Sequence, residues 1–368
     1  MSTTILHRHS VHKGRDSARF AKTMREMLDR GEVFVGQFLP TVRELSDSHG
    51  VSRETVRRVL KAMEGDGLLA SEPRHGYRLV RHPAEDRKLL PVAFVLSGGQ
   101  SRGRFTDFYR LQLRALQEAA EERGWSFLAV GSAERTPEEV RRVLESASVS
   151  GAILNNNEPQ LAEAVMGLSV PVVALEYWSP NTAGDRIEQD SYGGAFQAAD
   201  FLASRGSKRI GWIGPVARND QSLKRWGGAS SGLRKHGLAV EESLVLDWPG
   251  CEDREAVRAL LARPDRPDAV LALWRTPAVL AAAAAADLGL APGRDLDLVG
   301  WCADEQRGEF LERLPGGAPV PVVAWSMREM ARSAIRRLAE RIDGDQGQTL
   351  QAQIPTRLDV PASWPGRN

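Results

Sequence analysis

The chain has 368 residues, too many for one typical domain, and its 42% apolar and 26% charged residues are ordinary for a soluble globular protein. Its two cysteines, Cys251 and Cys302, lie far apart without metal-ligand spacing, which excludes a disulfide framework, and no apolar run is long enough to span a membrane. The net charge of +1 is unevenly spread: residues 1–90 carry 17 Lys+Arg against 12 Asp+Glu, and six of the seven histidines, while the remainder is slightly acidic. A basic head on an acidic body suits a head that meets a polyanion.

The first sixteen residues are polar, with His7, His9 and His12 close together, and read as a disordered arm rather than a metal-binding tail. No apolar leader opens the chain, so a cytoplasmic protein with reduced thiols is expected. From about Ser17, the apolar spacing of Phe20, Met24, Met27 and Leu28 predicts an amphipathic helix. After Pro40, Thr41 and Glu44 stand at capping-box spacing and should open a second helix. Gly50 supplies a turn and Ser52 is a good N-cap for a third helix. There Val56, Val59, Leu60 and Met63 form one apolar stripe. That stripe leaves Arg57, Arg58 and Lys61 on the outer face, with Arg53 and Thr55 at its N-terminal flank. A hairpin should follow, up to Val80. Such a short helix on a rigid apolar support is how a helix-turn-helix reaches base edges in a major groove. A helical hairpin with a merely solvated basic face is the plainer alternative, but turn, caps, stripe and hairpin all agree.

Leu39-Pro40, Arg43-Glu44-Leu45, Gly50 through Arg57 and Gly67-Leu68-Leu69 together resemble the winged helix of GntR-type bacterial regulators over about residues 17–80. The resemblance implies that Arg43 holds a phosphate or base edge, and that Ser52, Arg53, Thr55 and Arg57 sit in the groove. It also makes His75-Gly76 a wing tip. Arg74 departs from the glycine usual in that family and keeps a cation at the wing.

Residues 81–90 are charged, aperiodic and contain one proline, and read as a linker. From Pro91 short apolar runs alternate with amphipathic stretches. Strands are expected at Val92–Leu96, Phe127–Val130, Ala152–Leu154, Val172–Leu175, Ile210–Ile213, Ala269–Leu273, Leu296–Gly300 and Val320–Ala324. Helices are expected at Phe108–Arg123, Pro137–Glu145, Ala195–Arg205 and Arg328–Arg341, and Ala281–Ala286 is a helix interior. That alternation means an α/β fold with parallel sheets, and the number of strands suggests two lobes over residues 91–368. Ligands of open α/β sheets collect at the carboxyl ends of the strands, here in a cleft between lobes.

Several dispersed pieces resemble the effector domain of LacI/GalR-type repressors, whose fold is that of periplasmic sugar-binding proteins. They are Gly151-Ala152-Ile153-Leu154, Pro171-Val172-Val173, Asp190 with Gly193-Gly194, Gly206 through Ile210, Arg225 three before Gly228, Pro267 through Val270, Leu288-Gly289-Leu290 and Val299-Gly300. The pairing of head and body is similar to the arabinose-repressor branch of the GntR group. It implies a two-lobed body with three crossovers, a homodimer, a double-stranded operator and a small carbohydrate effector.

By that resemblance Arg225 donates to ligand hydroxyls, as its planar fork of donors allows. Phe108 and Tyr109 fall near the cleft, with core packing as the alternative. Two carboxylate positions of the family have lost their charge: Trp274-Arg275 stands where Asn-Asp is usual, and Cys302 follows Trp301 where Asp is usual. With Trp178 and Trp325, four tryptophans are expected at strand ends facing the cleft. Such rings stack on the apolar faces of sugars, and Arg275 would favour a sugar acid or sugar phosphate. The alternative is that Trp274, Trp301 and Trp325 pack on one another and the domain serves dimerisation. An enzyme fused to a DNA-binding head is the rival from another class. Lys208, Lys224 and Lys235 are the only lysines after residue 91, none suits a Schiff base, and no nucleophile elbow, His-Glu-x-x-His or P-loop occurs. No cofactor, metal or membrane partner is expected.

Overall fold

The computed structural model describes residues 17–28, 32–73, 75–81, 90–96, 107–132, 135–155, 159–176, 184–317 and 320–365. The expected arm, most of the expected linker, Arg74 and Trp178 lie outside the described residues.

The N-terminal head begins with a helix over residues 17–28 (α1), which buries Phe20, Met24, Met27 and Leu28. The second helix is α2 (Val42–His49), and its expected capping box is closed in both directions: the Glu44 amide donates to Thr41 Oγ1 at 3.2 Å and the Thr41 amide to Glu44 Oε2 at 2.8 Å. Gly50 ends it in the left-handed conformation, at φ 62°. The third helix, α3 (Arg53–Gly65), starts at its Ser52 cap and buries Val56, Val59, Leu60 and Met63. Strands β1 (Leu69–Glu72) and β2 (Gly76–Leu79) pair antiparallel as the wing hairpin.

Beyond the head the chain is α/β. It divides into two compact units, Met1–Leu175 with Ala331–Thr349, and Glu176–Met330 with Leu350–Asn368, so it passes between them three times. The first unit carries β3 (Pro91–Leu96), α4 (Asp107–Glu121), β4 (Ser126–Gly131), α5 (Pro137–Ser146), β5 (Gly151–Asn155), α6 (Pro159–Met166) and β6 (Val172–Leu175). Its strands are parallel in the order β6-β5-β3-β4, so β4 ends the row. Nearly every residue of β3, β4 and β5 is buried, as a parallel sheet covered on both faces requires.

The second unit contains β7 (Asp185–Gln189), α7 (Ser191–Ser204), β8 (Ile210–Ile213), α8 (Asp220–Arg234), β9 (Val245–Leu246), α9 (Arg254–Ala262), β10 (Ala269–Ala272), α10 (Arg275–Asp287), β11 (Asp297–Ala303), α11 (Arg307–Glu312) and β12 (Val322–Trp325). Helix α12 (Met327–Ile342) leads back to the first unit, and β13 (Gln351–Ile354) and β14 (Arg357–Asp359) close the second. Its main sheet has the order β14-β12-β11-β10-β8-β9, all parallel except for antiparallel β14. The carboxyl ends of β8 through β12 therefore lie along one edge. Strand β7 pairs in parallel with β13.

Helices α7 and α8 approach very closely. A Cβ at Gly228 would lie 2.1 Å from the Tyr192 carbonyl oxygen, so only glycine lets the two backbones meet there. Among the described residues, no helix is long and apolar enough to cross a membrane.

Candidate functional site

The exposed basic face of the head follows from its capping and its apolar stripe. Arg53 and Arg57, one turn apart on α3, are exposed, and no other described residue engages either guanidinium. Arg43 on α2 is exposed too, with Asp47 3.7 Å away on the next turn. His75 is exposed at the wing tip, its Nδ1 3.2 Å from the Pro73 carbonyl oxygen, and Gly76 turns with φ 100°. Ser52 is exposed, but its hydroxyl works as the helix cap.

Two expected DNA-binding residues are engaged within the head. Thr55 is only 5% exposed and its hydroxyl lies 2.9 Å from Ser52 Oγ, so it locks the cap from beneath. Arg58 is exposed yet hydrogen-bonded to Ser17 of α1, which turns it along the head. The physical reason is the helical period, which carries position 55 back onto the apolar face and position 58 round toward α1.

In the second unit the polar centre is built on β7 and α8. Arg225 is 3% exposed; its Nη2 donates to Gln189 Oε1 at 3.1 Å, and its guanidinium carbon stands 4.1 Å from the Trp301 ring centre. The Trp301 indole donates to the same Gln189 oxygen at 2.7 Å, while the Gln189 amide donates to both carboxylate oxygens of Glu176 at 3.1 and 3.2 Å. Gln221, one turn before Arg225, donates to Glu176 as well. Arg225 Nε is buried without a hydrogen-bond partner among the described residues.

Burial pushes the Glu176 carboxyl up to about 7, against the opposing pull of Arg225 and of the Gln189 hydrogen bonds. Burial likewise lowers the Arg225 guanidinium, to about 10, so it stays protonated at neutral pH while Glu176 titrates there. The folded carboxyl thus holds its proton to about pH 7, and the unfolded one releases it near 4.5. Its contribution is fully present below the lower value and is lost as pH rises through the higher one. Urea unfolding should accordingly show about 2–3 kcal/mol less stability at about pH 7.5 than at about pH 5 from this group, and Glu176→Gln should flatten that slope. An unchanged slope in the variant would show that the buried carboxyl does not titrate between those limits.

The tryptophans divide into two kinds. Trp301 and Trp325 are 3% and 2% exposed, so they are internal supports and not open faces as expected. Trp301 reaches Gly194 of α7, where a Cβ would stand 2.7 Å from its ring. Trp274 is half-buried just past β10, in a backbone conformation (φ 147°, ψ 164°) that side chains rarely adopt. Arg275 after it lies 3.1 Å from Glu309, which already balances its charge.

The exposed ring on this edge is one the sequence reading overlooked. Trp248, just past β9, is 45% exposed, and the Arg218 guanidinium stands 4.1 Å over its ring. Asp247 fixes the turn by accepting from the amides of Val216 and Trp248. An Asp-Trp-Pro after a short apolar pair was the available signal.

Cys302 is buried in the apolar core, and burial raises its thiol to about 12, so no charge replaces the missing carboxylate. In the first unit Tyr109 is buried and Phe108 half-buried, their rings edge-to-face at 5.6 Å. Close by in sequence, buried Gln112 accepts from Asn155 at the carboxyl end of β5 at 2.6 Å, and its own amide nitrogen has no hydrogen-bond partner among the described residues. Neither amide stood out in the sequence. Among the described residues no cluster of His, Cys, Asp and Glu could hold a metal ion.

Residues 17–79 match the model of bacterial regulatory proteins of the gntR family, and residues 199–363 match that of a periplasmic binding protein-like domain. The HTH-type transcriptional regulator AglR of Rhizobium meliloti is 29% identical over 315 residues, which cover 82% of each chain. The HTH-type transcriptional repressor PurR of Haemophilus influenzae is 24% identical over 257 residues, covering 67% of this chain and 73% of that one. A solved complex of the transcriptional regulator CelR with cellobiose superposes with a TM-score of 0.63 at 22% identity, covering 88% of this chain and 99% of that chain.

Proposed function

We propose, for a chain that is a DNA-binding transcriptional regulator with a GntR-type head and a LacI-like ligand-binding domain, that it represses from an operator until a saccharide binds. Arg53, Arg57 and Arg43 meet the DNA, with His75 and Gly76 at the wing, and two heads of a homodimer read an inverted repeat. Repression is the part of the repressor relative named above. The ligand acts only through its unequal affinity for the two arrangements of the heads.

The observation that carries the effector reading is the Arg225 cluster beside the carboxyl edge that also bears Trp248 and Trp274. Arg225 donates to hydroxyl oxygens, and the two less buried indoles cover apolar sugar faces. Because Glu309 balances Arg275, and the Gln189 and Glu176 network already engages Arg225, the fitting ligand is a neutral saccharide. The neutral disaccharide in the CelR complex agrees with that. A second reading, an acidic saccharide, is favoured by Arg218, which is exposed on Trp248 and paired with no described acid.

A thermal-shift panel of neutral mono- and disaccharides, uronic acids and sugar phosphates tests both readings. A neutral sugar should raise the unfolding temperature by ~2 °C or more at saturating concentration. Stabilisation by acids alone, lost in Arg218→Ala, would replace the first reading with the second, and a flat panel would remove both.

A further inference from the structure

The segment between α1 and α2 has two sides, and both are used. On one side it pairs with the wing strand: the Gly36 amide donates to the Leu79 carbonyl at 2.6 Å, and the Leu79 amide to the Gln37 carbonyl at 2.9 Å. On the other side Val35 forms a parallel bridge to Val130, in strand β4 of the first unit. Strand β4 ends its row, so its outer side offers unpaired backbone groups to any strand that can reach it. Val33, Phe34 and Val35 are all buried.

Arg135 fastens the junction. It lies in the loop between β4 and α5, and its Nη1 donates to the Val35 carbonyl at 2.6 Å and to the Gly131 carbonyl at 3.1 Å. One cationic nitrogen thus bridges the head and the last residue of β4. The guanidinium also lies flat on Gly36, whose φ is 94°; a Cβ there would stand 1.7–1.9 Å from its atoms. Any residue but glycine would be strained at that φ and would push Arg135 off the carbonyl.

We propose that the outer edge of β4, clasped by Arg135, is a docking surface for the head, and that the head's position follows the β6-β5-β3-β4 sheet through this contact. The exposed Arg53 and Arg57 are not used in it, so the docked head keeps its reading face open. The contact stands or falls apart from the effector reading.

Hydrogen exchange of the full chain, read by mass spectrometry without DNA or ligand, tests it. In Arg135→Ala, peptides covering residues 33–37 and 126–131 should exchange about tenfold faster together, as loss of one charge-assisted contact of this kind predicts. Peptides from α3 and β3 should keep their rates. Gly36→Val should reproduce the paired acceleration, and Arg135→Lys, which keeps one donor, should restore part of the protection. If only the loop around Arg135 speeds up, or if residues 33–37 keep their wild-type rate in Arg135→Ala, the docking surface is wrong.

Discussion

Replacing Arg53 and Arg57 together by alanine is expected to weaken operator binding by roughly 2–6 kcal/mol, the largest effect of any surface change in this chain. Both side chains are exposed and engage no other described residue, so neither has a contact among those residues to give up on meeting DNA. Ser52 and the buried Thr55 fix the first turn of α3, and Val56, Val59 and Leu60 anchor it from beneath. The guanidinium groups are therefore presented from a rigid element, and their removal should leave head stability within about 0.5 kcal/mol. The duplex to use is one selected by the wild-type protein from a randomised pool, titrated at two salt concentrations. Each arginine that contacts a phosphate should lower the salt slope by about one. A double variant that binds the selected duplex as tightly as wild type would move the reading face elsewhere on the head.

Arg225→Ala should abolish ligand-induced stabilisation while leaving binding to the selected duplex intact. The same change should cost about 2–4 kcal/mol of stability in the unliganded protein. It removes the cation beside buried Glu176 and the stack on Trp301, although protonation of Glu176 offsets part of the loss. Arg225→Lys keeps the charge but not the planar fork, so it should recover stability better than ligand response. The test uses whichever saccharide stabilises the wild type. A wild-type thermal shift in Arg225→Ala would take the ligand away from α8.

Much of this molecule is legible in its residues, because most of its elements carry an apolar signature. The capping box at Thr41, the turn at Gly50 and the stripe on α3 stand where local chemistry places them. The long apolar runs became β3 to β6, β8, β10, β11 and β12 with ends shifted by a few residues at most. Strand β7 escaped because its sequence, Asp-Arg-Ile-Glu-Gln, has one apolar residue; its register is held by β13, from the far end of the chain. That strand also supplies Gln189, the hub between Arg225, Trp301 and Glu176. Helix α8 carries glycines that serve close packing on α7 and weaken its local helical signal. Periodicity could name the tryptophans but not say which were open. That depends on neighbours such as Gly194, distant in sequence, and so Trp301 was expected as a surface and found as a support.

Trp274 sits in a region of backbone space that is nearly reserved for glycine, at a cost of order 1–3 kcal/mol. A tryptophan there is therefore a poor choice for the fold alone, and random drift toward stability would replace it with glycine. The surrounding sheet must hold that residue against its own preference. On the reading proposed above, that strain serves to hold the ring against a ligand.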